Sequence, residues 1–174
     1  MGIQFETDYN METLTAMAKG LRKTVRKKRS RRVHIFAAVV LILGLLTILA
    51  TTAGGEPLGA SGVVTLLAML VVILVSLFED KLNAWFARKR LLPGTEHAAA
   101  TFEEDGYVSA TGVTESRFSY AQIVAVAETA RYFVFALSSH HTQAYDKRNI
   151  RGGSVEDFRA FIAEKTGKPV EEIK

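Results

Sequence analysis

Val33 to Thr52 reads VHIFAAVVLILGLLTILATT, and Ala60 to Phe78 reads ASGVVTLLAMLVVILVSLF. Neither run contains Asp, Glu, Lys or Arg. At ~1.5 Å of rise per helical residue, the first run spans about 30 Å, the thickness of a bilayer's hydrocarbon core. Every backbone N–H and C=O in hydrocarbon needs an internal partner, so each run is predicted to be a helix. Between them lies Ala53-Gly54-Gly55-Glu56-Pro57-Leu58-Gly59, a turn short enough to join only antiparallel helices. The pair reads as a transmembrane hairpin over residues 33–78.

Basic residues set its expected orientation. Residues 21–32 hold Arg22, Lys23, Arg26, Lys27, Lys28, Arg29, Arg31 and Arg32 with no acid. Lys81, Arg88, Lys89 and Arg90 follow the second span, and the turn has no cation. The positive-inside rule then predicts a multi-pass protein of the cell (plasma or bacterial inner) membrane with both termini cytoplasmic. The basic block is expected to meet anionic lipid headgroups, at roughly 1 kcal/mol per residue near the surface. Its position against a span argues against nucleic acid as a partner.

Ser30-Arg31-Arg32 resembles the start of a twin-arginine signal. However, the preceding segment is long, and a second span follows at once, so cleavage is not expected. The net charge of +4 is a local block, since residues 93–174 sum to −3. Mean hydropathy, +0.13, averages over the same division. There is no cysteine, which excludes disulfides and thiolate chemistry.

Ahead of the hairpin, residues 1–32 read as a strand, Gly2 to Tyr9, then a helix. Asp8 or Asn10 is the candidate cap, and Leu14, Met17, Leu21 and Val25 form an apolar stripe. That helix is expected to continue through the basic block into the first span. Residues 79–94 read as a helix running out along the membrane surface, with Trp85 and Phe86 as anchors.

Pro93-Gly94 opens a domain over residues 95–174. His97 to Glu104 alternates around Ala98, Ala100 and Phe102. Glu104-Asp105-Gly106 suits a turn with positive φ. Tyr107 to Thr111 returns with Val108 and Ala110 on one face. Further strands are expected at Arg117–Tyr120, around Ile123–Glu128, at Tyr132–Leu137 and at Thr142–Tyr145. Ser154-Val155-Glu156-Asp157 starts a helix with Val155, Phe158, Phe161 and Ile162 on its apolar face. Antiparallel strands closed by one helix suit a small barrel or half-barrel. The Gly2–Tyr9 strand is free to add to this sheet. The expected fold class is therefore a membrane α+β protein.

No catalytic constellation stands out. His140-His141 sit as neighbours on a turn without carboxylate support, and a metal site is not expected. Glu103-Glu104-Asp105 reads as an acidic turn. Glu128 lies among apolar residues, with Arg131, Lys147 or Arg148 as expected ion-pair partners. No nucleophile elbow, P-loop or dinucleotide fingerprint is present. Catalytic, metal and cofactor residues are therefore none, and an enzyme is not expected. Lys147, Arg148 and Arg151 form the one cluster suited to lipid phosphate or an acidic partner.

Tyr120-Ala121-Gln122-Ile123, Val126-Ala127-Glu128-Thr129, Tyr132-Phe133, and Lys147-Arg148 before the Phe158 helix carry a resemblance. With the strand, two spans and β-rich tail, the chain resembles the YcxB-like family of bacterial membrane proteins. The resemblance implies a cytoplasmic, pleckstrin-homology-like domain. The family usually places Pro before the basic pair, where this chain has Asp146. The function expected is a membrane-anchored, non-enzymatic interaction or regulatory module, with the lipid bilayer and an unidentified cytoplasmic protein as partners. The alternative is a small oligomeric conduit or transport subunit, its path lined by Thr47, Thr51 and Ser76.

Overall fold

A computed structural model describes residues 2–55 and 57–173. Glu56, the acid of the hairpin turn, lies outside the described residues, as do Met1 and Lys174. In chain order the elements are β1 (Ile3–Asp8), α1 (Met11–Lys23), α2 (Lys27–Ala53), α3 (Ala60–Leu77) and α4 (Glu79–Lys89). They are followed by β2 (His97–Phe102), β3 (Tyr107–Thr111), β4 (Glu115–Phe118), β5 (Ala125–Glu128), β6 (Tyr132–Ala136) and β7 (Thr142–Asp146). A short β8 (Ile150–Arg151), the helix α5 (Val155–Thr166) and β9 (Val170–Glu172) complete the order. Two compact units result: Met1–Lys27 with Asn83–Lys174, and Lys28–Leu82.

In the first unit, β1 pairs antiparallel with β2, Ile3 opposite Phe102 and Asp8 opposite His97. It also pairs with β8. The five-stranded sheet runs β4-β3-β2-β1-β8, so the strand preceding the hairpin is interior to a sheet built from residues that follow it. A second sheet runs β7-β6-β5-β9. Its β5–β9 pair is parallel, which corrects the all-antiparallel expectation. The cause is α5, which carries the chain back before β9 pairs. Ser154 Oγ accepts from the Asp157 amide at the start of α5, and Gly167 ends it at φ 63°.

The inner faces of the sheets meet in an aromatic core. Phe5, Phe102, Tyr107, Phe133, Phe135, Tyr145 and Phe158 are all buried. Phe158, from α5, lies 4.7 Å from the Phe5 ring and 4.8 Å from that of Phe102. Burying each such side chain contributes about 1.5–3 kcal/mol. The alternation of β2 falls as expected, with Ala98, Ala100 and Phe102 buried. Val108 and Ala110 share one face of β3, as expected, and Tyr107 is the inward residue of the other, stacked on Phe102 at 4.9 Å. Ser109 and Thr111 share its face, because side chains alternate along a strand. One large ring outweighs two small apolar side chains in setting that phase.

The turn between β2 and β3 also differs. Glu103 N–H donates to the Gly106 carbonyl at 2.9 Å, but Gly106 is not among the positive-φ glycines. Glycine is needed there because a Cβ would stand 2.5 Å from the Phe118 carbonyl oxygen.

On the outer face of the second sheet lies α1. Asn10 Oδ1 accepts from the Glu12 and Thr13 amides at 2.9 and 3.0 Å, capping it. Ala16 and Met17 pack beside Val134 and Ala144. The expected continuous helix into the first span is broken at residues 24–26. Thr24 Oγ1 donates back to the Gly20 carbonyl at 2.8 Å, and Arg26 Nε donates to the Ser139 carbonyl at 2.6 Å. The basic block is thereby divided between the end of α1, the break and the start of α2.

In the second unit, α2 and α3 are both long and apolar enough to cross a membrane. The half-buried positions of α3 are Gly62, Thr65, Met69, Val72 and Ser76, spaced alternately by three and four residues. Those of α2 are Ala37, Val40, Leu41, Gly44, Ile48 and Thr51. At Gly44 the helices come so close that a Cβ would stand 2.8 Å from Met69 Sδ. A seam of small residues permits such approach. Outside it, Leu, Ile, Val and Phe side chains of both helices stay exposed.

Candidate functional site

Two arrangements in the first unit concentrate its chemistry. The first is ionic. Glu128, at the end of β5, is buried, and its Oε1 accepts from Lys147 Nζ at 2.8 Å and Arg159 Nη2 at 2.7 Å. Arg159 Nε donates to Oε2 at 2.6 Å. The Arg159 hydrogen bonds, helped by Lys147 and opposed by burial, hold the Glu128 carboxyl below its usual value. Asp146, also buried, has its own cations: Arg131 Nε and Nη2 donate to Oδ2 at 3.0 and 2.9 Å, and Arg148 Nη2 at 3.0 Å. Arg131 bonds Glu12 as well, joining α1 to the network. The Asp146 side chain further accepts from the Arg148 amide at 3.1 Å, capping a short turn at Lys147–Asn149.

The second is a groove of about 360 Å³. Its sheet wall carries Ser109, Thr111, Thr114, Ser116 and Phe118, and its helix wall carries Leu14 and Met17 from α1, Ala87 from α4 and Leu91 just beyond its end. His141, Thr142, Gln143 and Tyr9 close it. At its base Gln143 Oε1 accepts from the Tyr107 hydroxyl at 2.7 Å and the Tyr145 hydroxyl at 2.8 Å. Burial raises the phenol pKa of Tyr9, Tyr107 and Tyr145, so all three stay protonated donors across the physiological range.

The segment that carries both the ionic network and the sheet wall of the groove also carries a family match. Residues 102–162 match the family of YcxB-like proteins. No curated protein and no solved structure matches the chain. The YcxB-like segment runs from the last residue of β2 into α5, so β1, nearly all of β2, and β9 complete its two sheets from outside it.

Within this segment lies Asp146. Here it serves as a turn cap and as the anion for Arg131 and Arg148. Of the expected partners of Glu128, Lys147 is observed, while Arg131 and Arg148 turn to Asp146 instead. Arg159, four residues into α5, was not expected. The helical spacing that faces Phe158 and Ile162 inward leaves it beside the end of β5.

Lys147, Arg148 and Arg151 are close in sequence and diverge in space. Lys147 is 13% exposed and bound to Glu128. Arg148 is 62% exposed and shares Asp146. Arg151 pairs with Glu6 of β1 at 3.2 Å. Arg148 and Arg151 therefore keep the exposure that a phosphate or acidic partner requires, and Lys147 is committed to the interior. The groove was not legible in the sequence, because the face of β3 that turns inward is decided by Tyr107 stacking on Phe102 across the register. His140 and His141 lie in the β6–β7 turn, where the Ser138 hydroxyl accepts from both amides. Among the described residues no group of three metal-ligating side chains occurs.

Thr47, Thr51 and Ser76 also part. Thr51 and Ser76 belong to the seam between α2 and α3, and Thr47 is exposed. Thr47 and Thr51 donate to carbonyls of their own helix, Leu43 at 2.9 Å and Thr47 at 3.0 Å.

Proposed function

We propose that this chain is a membrane-anchored, non-enzymatic interaction or regulatory module. Its hairpin crosses the bilayer twice and holds the YcxB-like unit at the cytoplasmic face. One observation supports this above the rest: β1 precedes the hairpin, β2 follows it, and they are neighbouring strands of one sheet. A chain that leaves a folded unit and returns to it crosses a membrane an even number of times. Two apolar helices with their outward side chains exposed match that requirement, because water would leave that surface unsatisfied. The cations flanking both helices favour the cytoplasmic side.

Two packed sheets closed by α5 also suit the pleckstrin-homology-like reading. In that reading Arg148 and Arg151 offer exposed guanidinium groups to phosphate or carboxylate. The paired state of Glu128 and Asp146 supports a structural role for both, since each is already saturated with cationic donors.

The absence of native cysteine suits the decisive experiment. Leu58→Cys and His140→Cys are introduced singly and treated with a membrane-impermeant maleimide in intact cells. Labelling of Leu58→Cys before lysis, and of His140→Cys only after it, is the expected result. Labelling of His140→Cys in intact cells would overturn the orientation.

A further inference from the structure

We propose that the groove between β3–β4 and helices α1 and α4 is a binding site for an uncharged acyl ester or amide, its carbonyl oxygen seated on Gln143. The argument begins with charge. The chain has 22 Lys and Arg and 18 Asp and Glu, yet none of them lines this groove. Apart from the imidazole of His141, the lining offers an entering carboxylate, phosphate or ammonium no counter-ion for the hydration it loses, which disfavours charged ligands.

The polar preference comes from Gln143. It is only 7% exposed, and its Oε1 is occupied by two tyrosine hydroxyls. Its amide N–H groups have no acceptor among the described residues. Nor is any fully buried side-chain nitrogen without a partner there, so these donors are the part of Gln143 open to the groove. A carboxamide with its acceptor taken and its donors free selects a ligand acceptor such as a carbonyl oxygen. Leu14, Met17, Leu91 and Phe118 supply the apolar wall for a chain attached to that carbonyl. The volume falls in the roughly 300–1,000 Å³ range of small-molecule pockets. Inward-facing Ser109 and Thr111, in place of larger side chains, keep the space open. The site belongs to the YcxB-like unit and its adjoining elements, and stands whether or not the hairpin orientation is as proposed.

The test uses the full chain in phosphatidylcholine nanodiscs. Two photoreactive probes share one alkyl chain, a monoacylglycerol and the matching fatty acid. The monoacylglycerol is expected to label peptides containing Ser109–Phe118 or His141–Gln143, and the fatty-acid anion about tenfold less. Gln143→Met and Ser109→Leu, each checked for an unchanged thermal transition, should reduce labelling by about tenfold. If Gln143→Met fails to fold, Ser109→Leu decides, since its side chain only fills the groove. Probe supplied within the bilayer against a short-chain analogue supplied in water identifies membrane or soluble origin, and labelling from either supports the site. Equal labelling by acid and ester, or labelling unchanged in Ser109→Leu, overturns the proposal. So does no labelling by either probe, as for a groove covered by a second copy or a protein segment.

Discussion

Replacing Glu128 by Gln keeps its shape and removes its charge. In the native unit the Glu128 side chain is 7% exposed, Lys147 13% and Arg159 42%. The substitution therefore leaves an almost enclosed ammonium beside a neutral amide. Removing one partner of a buried ion pair costs about 3–5 kcal/mol. Gln retains one carbonyl acceptor and Arg159 is partly hydrated, which lowers the expectation to about 2–3 kcal/mol. For a unit of this size that corresponds to a fall in Tm of roughly 6–15 °C. The assay is thermal unfolding of the full chain in detergent, followed by near-ultraviolet dichroism of the buried tyrosines. Lys147→Met removes the stranded charge, so the double variant should recover about 1–2 kcal/mol relative to the sum of the single changes. Additivity of the two substitutions, or a loss below about 0.5 kcal/mol for Glu128→Gln, would refute the reasoning.

Two further outcomes follow from the same structure. The Glu128 carboxyl is held below its ordinary value of 4.5, so its contribution is complete above that pH and is lost as pH falls through the lowered value. An acid titration of Tm should show destabilisation beginning below about pH 4.5 in the wild type and a flatter profile in Glu128→Gln. At the helix seam, Gly44→Leu must displace Met69, and a loss of about 1–3 kcal/mol is expected, while Leu43→Ala on the exposed side should change little. Thermal aggregation of detergent-solubilised protein measures both.

The two apolar helices were legible because uninterrupted composition needs no tertiary information. The core strand β2 and the cap of α5 were legible for a related reason: period-two alternation and Ser154-x-x-Asp157 are local signals. The break after α1 was not. It depends on Thr24 turning back to Gly20 and on Arg26 reaching Ser139, far along the chain. The phase of β3 was not legible, because Val108 and Ala110 are apolar as well and the decisive contact is Tyr107 on Phe102 across the register. The pairing of Asp146 with two arginines was hidden for the same reason, since Arg131 comes from a different turn. Glu128 was recognisable as a buried anion from its apolar neighbours, but only the fold reveals Arg159 above it. The α3 seam was present in the sequence as a heptad spacing, masked by a run in which nearly every position is apolar.

The position of β1 inside its sheet also sets a schedule for synthesis. Asp8 is made long before its partner His97, and Gln4 longer still before Arg151. At about 5–20 residues per second, β1 waits on the order of 5–20 s for its first neighbour while the apolar hairpin emerges. Closing the sheet comes after the hairpin has left the ribosome, and in the proposed membrane topology a hairpin with one end misplaced keeps β1 from β2. In that topology, assembly of the unit that holds the YcxB-like segment becomes a check on insertion: only a chain with both ends of the hairpin on one side completes its core.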